Sequence, residues 1–399
     1  MKTKRIYYRQ FIELILITML ATTIGMISGG AAVFTAMNYK DEDDITVEPG
    51  SNEITEMYNQ ILSRYYKDVD KDALIDGAID GMLSVLGDPN SFYFDEVSKE
   101  TFDEKMLGQY YGAGFEILAD KDGKVYIVNL FEGAPAKKAG IKVGDYILKI
   151  NDESMEGKSA TEISSLVKYG DGEDVKITIN RDGKELDFNI KKQVIELTSV
   201  NKKVYNKNNK KIGYLQVTVF ASNTYEQFEN AFNELKKENI DSLIIDLRSN
   251  TGGYLTVVTN MLELLLKEGD ILYKLESKTE TTITKDETKD SVNYPIVVLI
   301  NEYSASASEV MAAALKENID AKLVGIKSYG KGTVQETVET SSGGMAKFTT
   351  KRWLTPNGDC VDGIGITPDY EIELSEEYLR NNIDENDNQL QKAIEVITK

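Results

Sequence analysis

The spacing of apolar positions changes several times along this chain of 399 residues. Lys2, Lys4, Arg5 and Arg9 precede a largely uncharged run, Leu14 to Met37, longer than the roughly 20 residues a helix needs to cross a bilayer. A secretory leader has a shorter apolar core, about 7–15 residues, so residues 11–37 are expected to form an uncleaved signal anchor. Cleavage near Gly29-Gly30-Ala31 is the alternative. Basic residues before the span and Asp41-Glu42-Asp43-Asp44 after it place residues 1–10 in the cytoplasm and the body outside the cell membrane. Residues 38–51 read as a polar linker. Over residues 52–105 a three-four spacing follows, in Ile54, Met57, Tyr58, Ile61, Leu62 and Tyr65, then in Leu74, Ala78, Met82 and Leu86 before LGDPNS. This helical region is too small for a large core of its own, so it is expected to pack on the rest or to pair with a second subunit.

From residue 106 to 194 the texture becomes short β-runs broken by Gly and Asp. Alternation is clean in Val175, Ile177 and Ile179, and one helix is expected from Ala160 to Lys168. From 195 to 375 strands and helices alternate: IGYLQVTVF, SLIIDLRS, PIVVLINEY and AKLVGI are each separated by a helical run. Such alternation means an α/β unit with parallel strands and right-handed crossovers. Residues 376–399 end in a short amphipathic helix, DNQLQKAIEVITK.

Composition then removes whole classes of chemistry. The chain has 46 basic and 66 acidic residues, net −20, which argues against nucleic acid as a partner and against an anionic membrane surface as a partner of the body. It has no histidine, so a Ser-His-Asp triad, a Cys-His pair and the common zinc sites are absent. The lone Cys360 has neither an internal disulfide partner nor a histidine to activate it. The sequence GKGT does not make a phosphate loop, because Gly332 stands where Ser or Thr must follow the lysine.

What remains is a hydroxyl-and-lysine chemistry. Parallel strands end at one edge of a sheet, and the loops leaving those ends share a crevice. Ser304, Ser306 and Ser308 follow PIVVLI; Lys327 and Lys331 follow AKLVGI; Gly252 and Gly253 follow the strand Leu243 to Leu247. A neutral lysine can serve as base to a serine, and backbone amides at a helix start or a glycine turn can hold an oxyanion. Lys331 lies between Gly330 and Gly332, where the backbone has freedom to approach; Lys327 reads equally as a solvated flank. Ser306 through Glu309 also fits the capping box S-x-x-E, so Ser306 has a purely structural reading as a helix cap.

The motifs DGMLSVLGDPNSFY, GAGFEI, APAKKAGIKVGDYILKIND, IIDLRSNTGG, NEYSASASEV and GKGTVQ, in that order, resemble the carboxyl-terminal processing proteases, the S41 family of Ser-Lys peptidases. The resemblance runs from about Ile54 to Ile397. It implies an α/β protease core of parallel βαβ units, crotonase/ClpP-like, with an inserted β-rich PDZ domain, an N-terminal helical segment and a transmembrane anchor. On the motifs it implies Ser306 as nucleophile, Lys331 as general base and Gln335 as the residue orienting the lysine by a hydrogen bond. Oxyanion amides carry over to Ala307 and the Gly252-Gly253 turn. Residues 106–194 then become the PDZ domain and 195–375 the protease core, with no metal or nucleotide cofactor required.

The loop Gly112-Ala113-Gly114-Phe115 would capture a free C-terminus, and the strand Phe115 to Leu118 would pair with the peptide. A gating arginine of some members corresponds here to Lys168, which lacks arginine's two-pronged contact. TPNGDCVDGIGITPD has Cys360-Val361-Asp362 where the family often has a histidine, at a position outside the dyad. The expected partners are proteins or peptides with free C-termini, the membrane through the anchor, and a second copy through residues 52–105. Two other readings stand beside the protease: a non-catalytic PDZ peptide-binding scaffold, and an esterase or amidase using the same dyad.

Overall fold

The structure, a computed structural model, describes residues 51–170 and 172–399. The expected cytoplasmic N-terminus, the anchor at 11–37 and nearly all of the linker lie outside the described residues. Among the described residues no helix is long and apolar enough to cross a membrane. The chain divides into two units, one ending at Leu74 and one running from Ile75 to Lys399. Helix α1 (Ser51–Arg64) lies in the first, and α2 (Lys71–Ser84) crosses the boundary.

The helical reading of residues 52–105 requires one correction. After α2 comes a short strand, β1 (Phe92–Phe94), and only then helix α3 (Glu96–Leu107). Asp95 caps α3 by accepting the Ser98 amide at 2.8 Å, and Gly108 ends it in the left-handed conformation. Three residues carry no readable period; β1 is a strand because a distant partner strand pairs with it.

The β-rich module contains β2 (Gln109–Gly112), β3 (Phe115–Ala119), β4 (Val125–Leu130), α4 (Pro135–Ala139), β5 (Tyr146–Ile150), β6 (Glu153–Ser154), α5 (Ala160–Tyr169), β7 (Asp174–Arg181), β8 (Lys184–Lys191) and β9 (Gln193–Glu196). Its main sheet runs β3-β4-β5-β7-β8, while β2 and β9 pair where the chain enters and leaves. The alternation in β7 buries Val175, Ile177 and Ile179 against Ile127, Ile147 and Ile163. Ser159 and Glu162 form the capping box that starts α5.

The core continues with β10 (Val200–Lys207), β11 (Lys210–Val217), α6 (Thr224–Lys237), β12 (Ser242–Asp246), α7 (Leu255–Glu263), β13 (Ile271–Glu276), β14 (Thr281–Lys285), β15 (Ile296–Ile300), α8 (Ala307–Ile319), β16 (Lys322–Gly325), β17 (Thr333–Glu339), β18 (Met345–Leu354), β19 (Tyr370–Glu371), α9 (Glu376–Arg380) and α10 (Asn388–Ile397). The main sheet has the order β10-β11-β12-β15-β16-β19; β10 is antiparallel to β11 and the remaining pairs are parallel.

Every residue of β12 and β15 is buried, and the period of two divides their side chains between two cores. Leu243, Ile245, Ile296, Val298 and Ile300 face α6, α7 and α8. Ile244, Val297 and Leu299 face α10 through Leu390, Ala393, Ile394 and Ile397. In α6, Phe228, Phe232 and Leu235 line one stripe, with Glu226 in the first turn and Lys236 and Lys237 in the last, each complementing the helix dipole. Truncating either phenylalanine to alanine costs about 3–5 kcal/mol at such a site.

A second sheet, β1-β18-β13-β14 with β17 also on β18, was not anticipated from the alternating pattern. It covers α8, which explains why α8 is buried from Ala307 through Leu315 rather than on one stripe.

Candidate active site

The parallel register brings the ends of β12, β15 and β16 to one edge, and the three turns leaving them are laced together. Ala305 N–H donates to the Asn250 carbonyl at 3.1 Å, and Tyr329 N–H donates to the Ser304 carbonyl at 3.0 Å. Ser249 N–H donates to Asn301 Oδ1 at 2.8 Å. The topological expectation therefore holds: the glycine, serine and lysine loops converge.

The three serines differ in what their hydroxyls do. Ser304 is fully buried and donates to the Leu247 carbonyl at 2.9 Å. Ser308, also fully buried, donates to the Asn250 carbonyl at 2.8 Å. Both tie the serine turn to the glycine turn. Ser306 is half-buried, and its hydroxyl makes no cap hydrogen bond. It is the N-cap residue of α8, as the capping-box reading expects, but with φ 56° and ψ −117°. A non-glycine residue in that region is strained and persists only where surrounding contacts hold it. Those contacts are one bond to a side chain and one within the backbone: Ser306 N–H donates to Glu309 Oε2 at 2.9 Å, and Glu309 N–H donates to the Ser306 carbonyl at 2.8 Å.

Gly252 packs against this turn. A Cβ on it would lie 2.9 Å from Ser306 Cβ and 3.2 Å from the Ala307 nitrogen, and its φ is 105°. Its own amide is occupied, donating to Asn250 Oδ1 at 2.9 Å. The amides of Gly253 and Ala307 have no acceptor among the described residues. Of the two glycines, Gly253 is thus the one with an amide to offer.

Lys331 and Lys327 separate clearly. Lys327 is exposed, whereas Lys331 is half-buried. Burial pushes the Lys331 ammonium below the ordinary lysine value, while Asp88 and Glu309 pull it upward. The loop around it is fixed on all sides. Lys331 N–H donates to Glu309 Oε2 at 2.8 Å, and Gly332 N–H donates to Asp362 Oδ1 at 2.9 Å. Trp353 Nε1–H donates to the Lys331 carbonyl at 2.9 Å. Gly332 must be glycine because a Cβ would meet Asp362 at 2.5 Å.

The hydrogen bond expected from Gln335 to Lys331 is not formed in this structure. Gln335 Nε2 donates instead to Thr333 Oγ1 at 2.9 Å and Thr349 Oγ1 at 3.1 Å. Thr349 Oγ1 in turn donates to Asp88 Oδ2 at 2.5 Å, which also accepts from Ser91 Oγ. Gln335 is therefore wired to Asp88 through Thr349.

Asp88, Thr349 and Lys347 were missed by sequence reasoning. LGDPNS reads as a helix stop, and nothing local announces that its aspartate meets a strand more than 200 positions away. Lys347 lies over the rings of Phe92 and Phe102, and burial together with nearby Lys331 pushes its ammonium down to about 8.

In the β-rich module, Gly112 ends β2, and Gly114 has φ 83°, with a Cβ position 2.3 Å from Ala134 Cβ. Phe115 then opens β3, the outermost strand of its sheet, so β3 has an edge free to accept an added strand among the described residues. Helix α5 packs beside it. Lys168, the gating candidate, is not at the serine site: its ammonium pairs with Glu104 Oε2 at 2.5 Å. Burial opposes that charge, but the bond to Glu104 raises its pKa.

The chain resembles known proteins over most of its length. Family models match at residues 211–372 (Peptidase family S41), 111–192 (PDZ domain) and 26–98 (Activating protease CtpB N-terminal domain). Over 325 residues the chain is 37% identical to the carboxy-terminal processing protease CtpA of Bacillus subtilis, covering 81% of this chain and 69% of that one. The chain belongs to the carboxy-terminal processing proteases of peptidase family S41. It is also 35% identical over 359 residues to CtpB of Bacillus subtilis, covering 86% of this chain and 75% of the relative. A solved S41-family structure from Bacteroides fragilis superposes with a TM-score of 0.52 at 16% identity, covering 80% of this chain and 90% of the other, a likeness of fold. The processing protease described here is thus a serine protease with a PDZ domain and an N-terminal helical segment.

Proposed function

We propose that this processing protease cleaves peptide bonds with a Ser306–Lys331 dyad through an acyl-enzyme. One observation carries the reading: a single oxygen, Glu309 Oε2, accepts the backbone amides of both Ser306 and Lys331. The two residues singled out on separate loops are therefore neighbours, one with an uncommitted hydroxyl and one with an ammonium that burial makes easier to deprotonate.

In the first half-reaction Ser306 Oγ bonds to the peptide carbonyl carbon and its proton passes to the neutral Lys331 amine. The amides of Ala307 and Gly253 hold the negative oxygen. The C–N bond breaks as Lys331 returns the proton to the leaving amine. Water, deprotonated by the same amine, then attacks the ester carbon and frees Ser306. Gln335 contributes by fixing Thr333 and Thr349 beside the lysine strand, or by turning toward Lys331 when substrate binds.

Substrates are proteins with free C-termini, held at Gly112-Ala113-Gly114-Phe115 with β3 as the pairing strand. The N-terminal run anchors the body on the outer face of the cell membrane, and residues 52–105 pair two copies.

The test uses the full chain and an unstructured protein with an apolar tail. Wild type is expected to cleave it, and Ser306→Ala and Lys331→Ala each to abolish cleavage while C-terminal peptides still bind. Full activity in either variant sinks the dyad. Peptide binding without any cleavage by wild type makes the chain a scaffold instead.

A further inference from the structure

One buried charged side chain at the site has no part in the mechanism above. Glu309 is 0% exposed, yet both its oxygens are engaged. Oε1 accepts from Ser328 Oγ at 2.6 Å and Gly330 N–H at 2.7 Å. Oε2 accepts from Ser306 N–H at 2.9 Å and Lys331 N–H at 2.8 Å. These four donors come from two turns on different strands, the nucleophile turn after β15 and the lysine turn after β16. A capping-box glutamate ordinarily binds only the N-cap amide of its own helix. Glu309 does that for α8 and takes the lysine turn with the same carboxylate.

Given the dyad reading, on which this rests, we infer that Glu309 is a positioning residue that sets the spacing between Ser306 and Lys331 and presents a negative charge to the lysine. Glutamate suits the task in two respects. All four partners are donors, which a carboxylate accepts and a carboxamide cannot, since its NH2 would face backbone N–H groups. An aspartate would be too short to reach both turns from the first turn of α8. The bond to Ser306 N–H also helps to hold the positive φ of Ser306, so the same side chain secures the strained turn.

The charged groups facing Lys331 are Glu309 on α8, Asp88 on the turn before β1, and Lys347 on β18. The two carboxylates favour the protonated lysine, so removing the Glu309 charge makes Lys331 easier to deprotonate. Activity of the free enzyme rises with pH as Lys331 becomes neutral. Loss of Glu309 therefore moves that rise to lower pH while degrading alignment, a combination that a merely structural residue would not produce.

The experiment compares the full chain with Glu309→Gln, Glu309→Asp, Ser328→Ala and Ser306→Ala, using kcat, KM and the pH profile of kcat/KM on one peptide. Glu309→Gln is expected to lose about 10²-fold in kcat with KM little changed, and its acid limb to fall by about one pH unit. Glu309→Asp should lose kcat but keep the wild-type limb. Ser328→Ala, which removes one donor to Glu309 and the acceptor of the Ile366 amide but no charge, should lose several-fold in kcat with the limb unmoved.

A wild-type kcat and limb in Glu309→Gln overturns the inference while leaving the dyad intact. Should Glu309→Gln fail to fold, a wild-type kcat in Ser328→Ala overturns it, and a reduced kcat at unchanged KM supports it. Cleavage by Ser306→Ala would instead sink the dyad reading itself.

Discussion

Lys347 is near enough to Lys331 to feel its charge, and both are half-buried. The consequence for stability follows from proton binding. Unfolded, Lys347 holds its proton to about 10.5; folded, it holds it only to about 8. Between those values the unfolded chain binds more protons, so stability rises with pH across the window. Below about 8 both states are protonated and the full cost of burying the charge is present. Lys347→Met keeps the packing and removes the charge, so it is expected to raise Tm at neutral pH by a few degrees. The gain should shrink as pH approaches 10.5. Melts near pH 7 and pH 10 check this; equal gains at both would show that charge is not the cause.

At the scale of elements, the parallel core was legible because its strands are short apolar runs bounded by turn residues, as in SLIID and IVVLI. That pattern sufficed to bring three loops to one edge before any side chain was placed. The second sheet was not legible. β17 reads TVQETVE and is mostly exposed, and β1 has three residues, so neither carries a buried face of its own. Their pairing with β18 is a tertiary fact. So is the chain from Gln335 through Thr349 to Asp88, which spacing along the sequence does not encode. The glycine turn, in contrast, is both legible and strict. Gly252→Ala would push a methyl group against Ser306 Cβ and the Ala305 carbonyl, each at 2.9 Å, at a φ of 105°. We expect it to lower kcat by about 10²-fold or more, with peptide binding to the PDZ loop unchanged. Loss of binding together with kcat would mean that the module, not the turn, had been disturbed.

At the scale of the whole molecule, the C-terminal helix is joined to the glycine turn by charge. Arg248, just after β12, pairs with Asp246 at 2.6 Å and with Asp387 at 2.8 Å, the residue that caps α10. Tyr214 completes the cluster by donating to Asp246 at 2.7 Å. Asp246 is fully buried, so Arg248→Met would leave it without its cation. Breaking such a pair from one side costs about 3–5 kcal/mol. Chemical denaturation should show that loss, and a change below about 1 kcal/mol would place the pair with ordinary surface bridges.

Trp353, the chain's only tryptophan, is 1% exposed and holds the carbonyl of Lys331. The protease therefore contains one indole, which can be excited apart from its 22 tyrosines, and it is attached to the loop that bears the base. Asp362→Ala, which frees the Gly332 amide on that loop, should shift the emission to longer wavelength and open it to acrylamide quenching. Unaltered quenching would show the loop to be held without Asp362. A change in the surroundings of the lysine loop on substrate binding can thus be followed in real time without any added label.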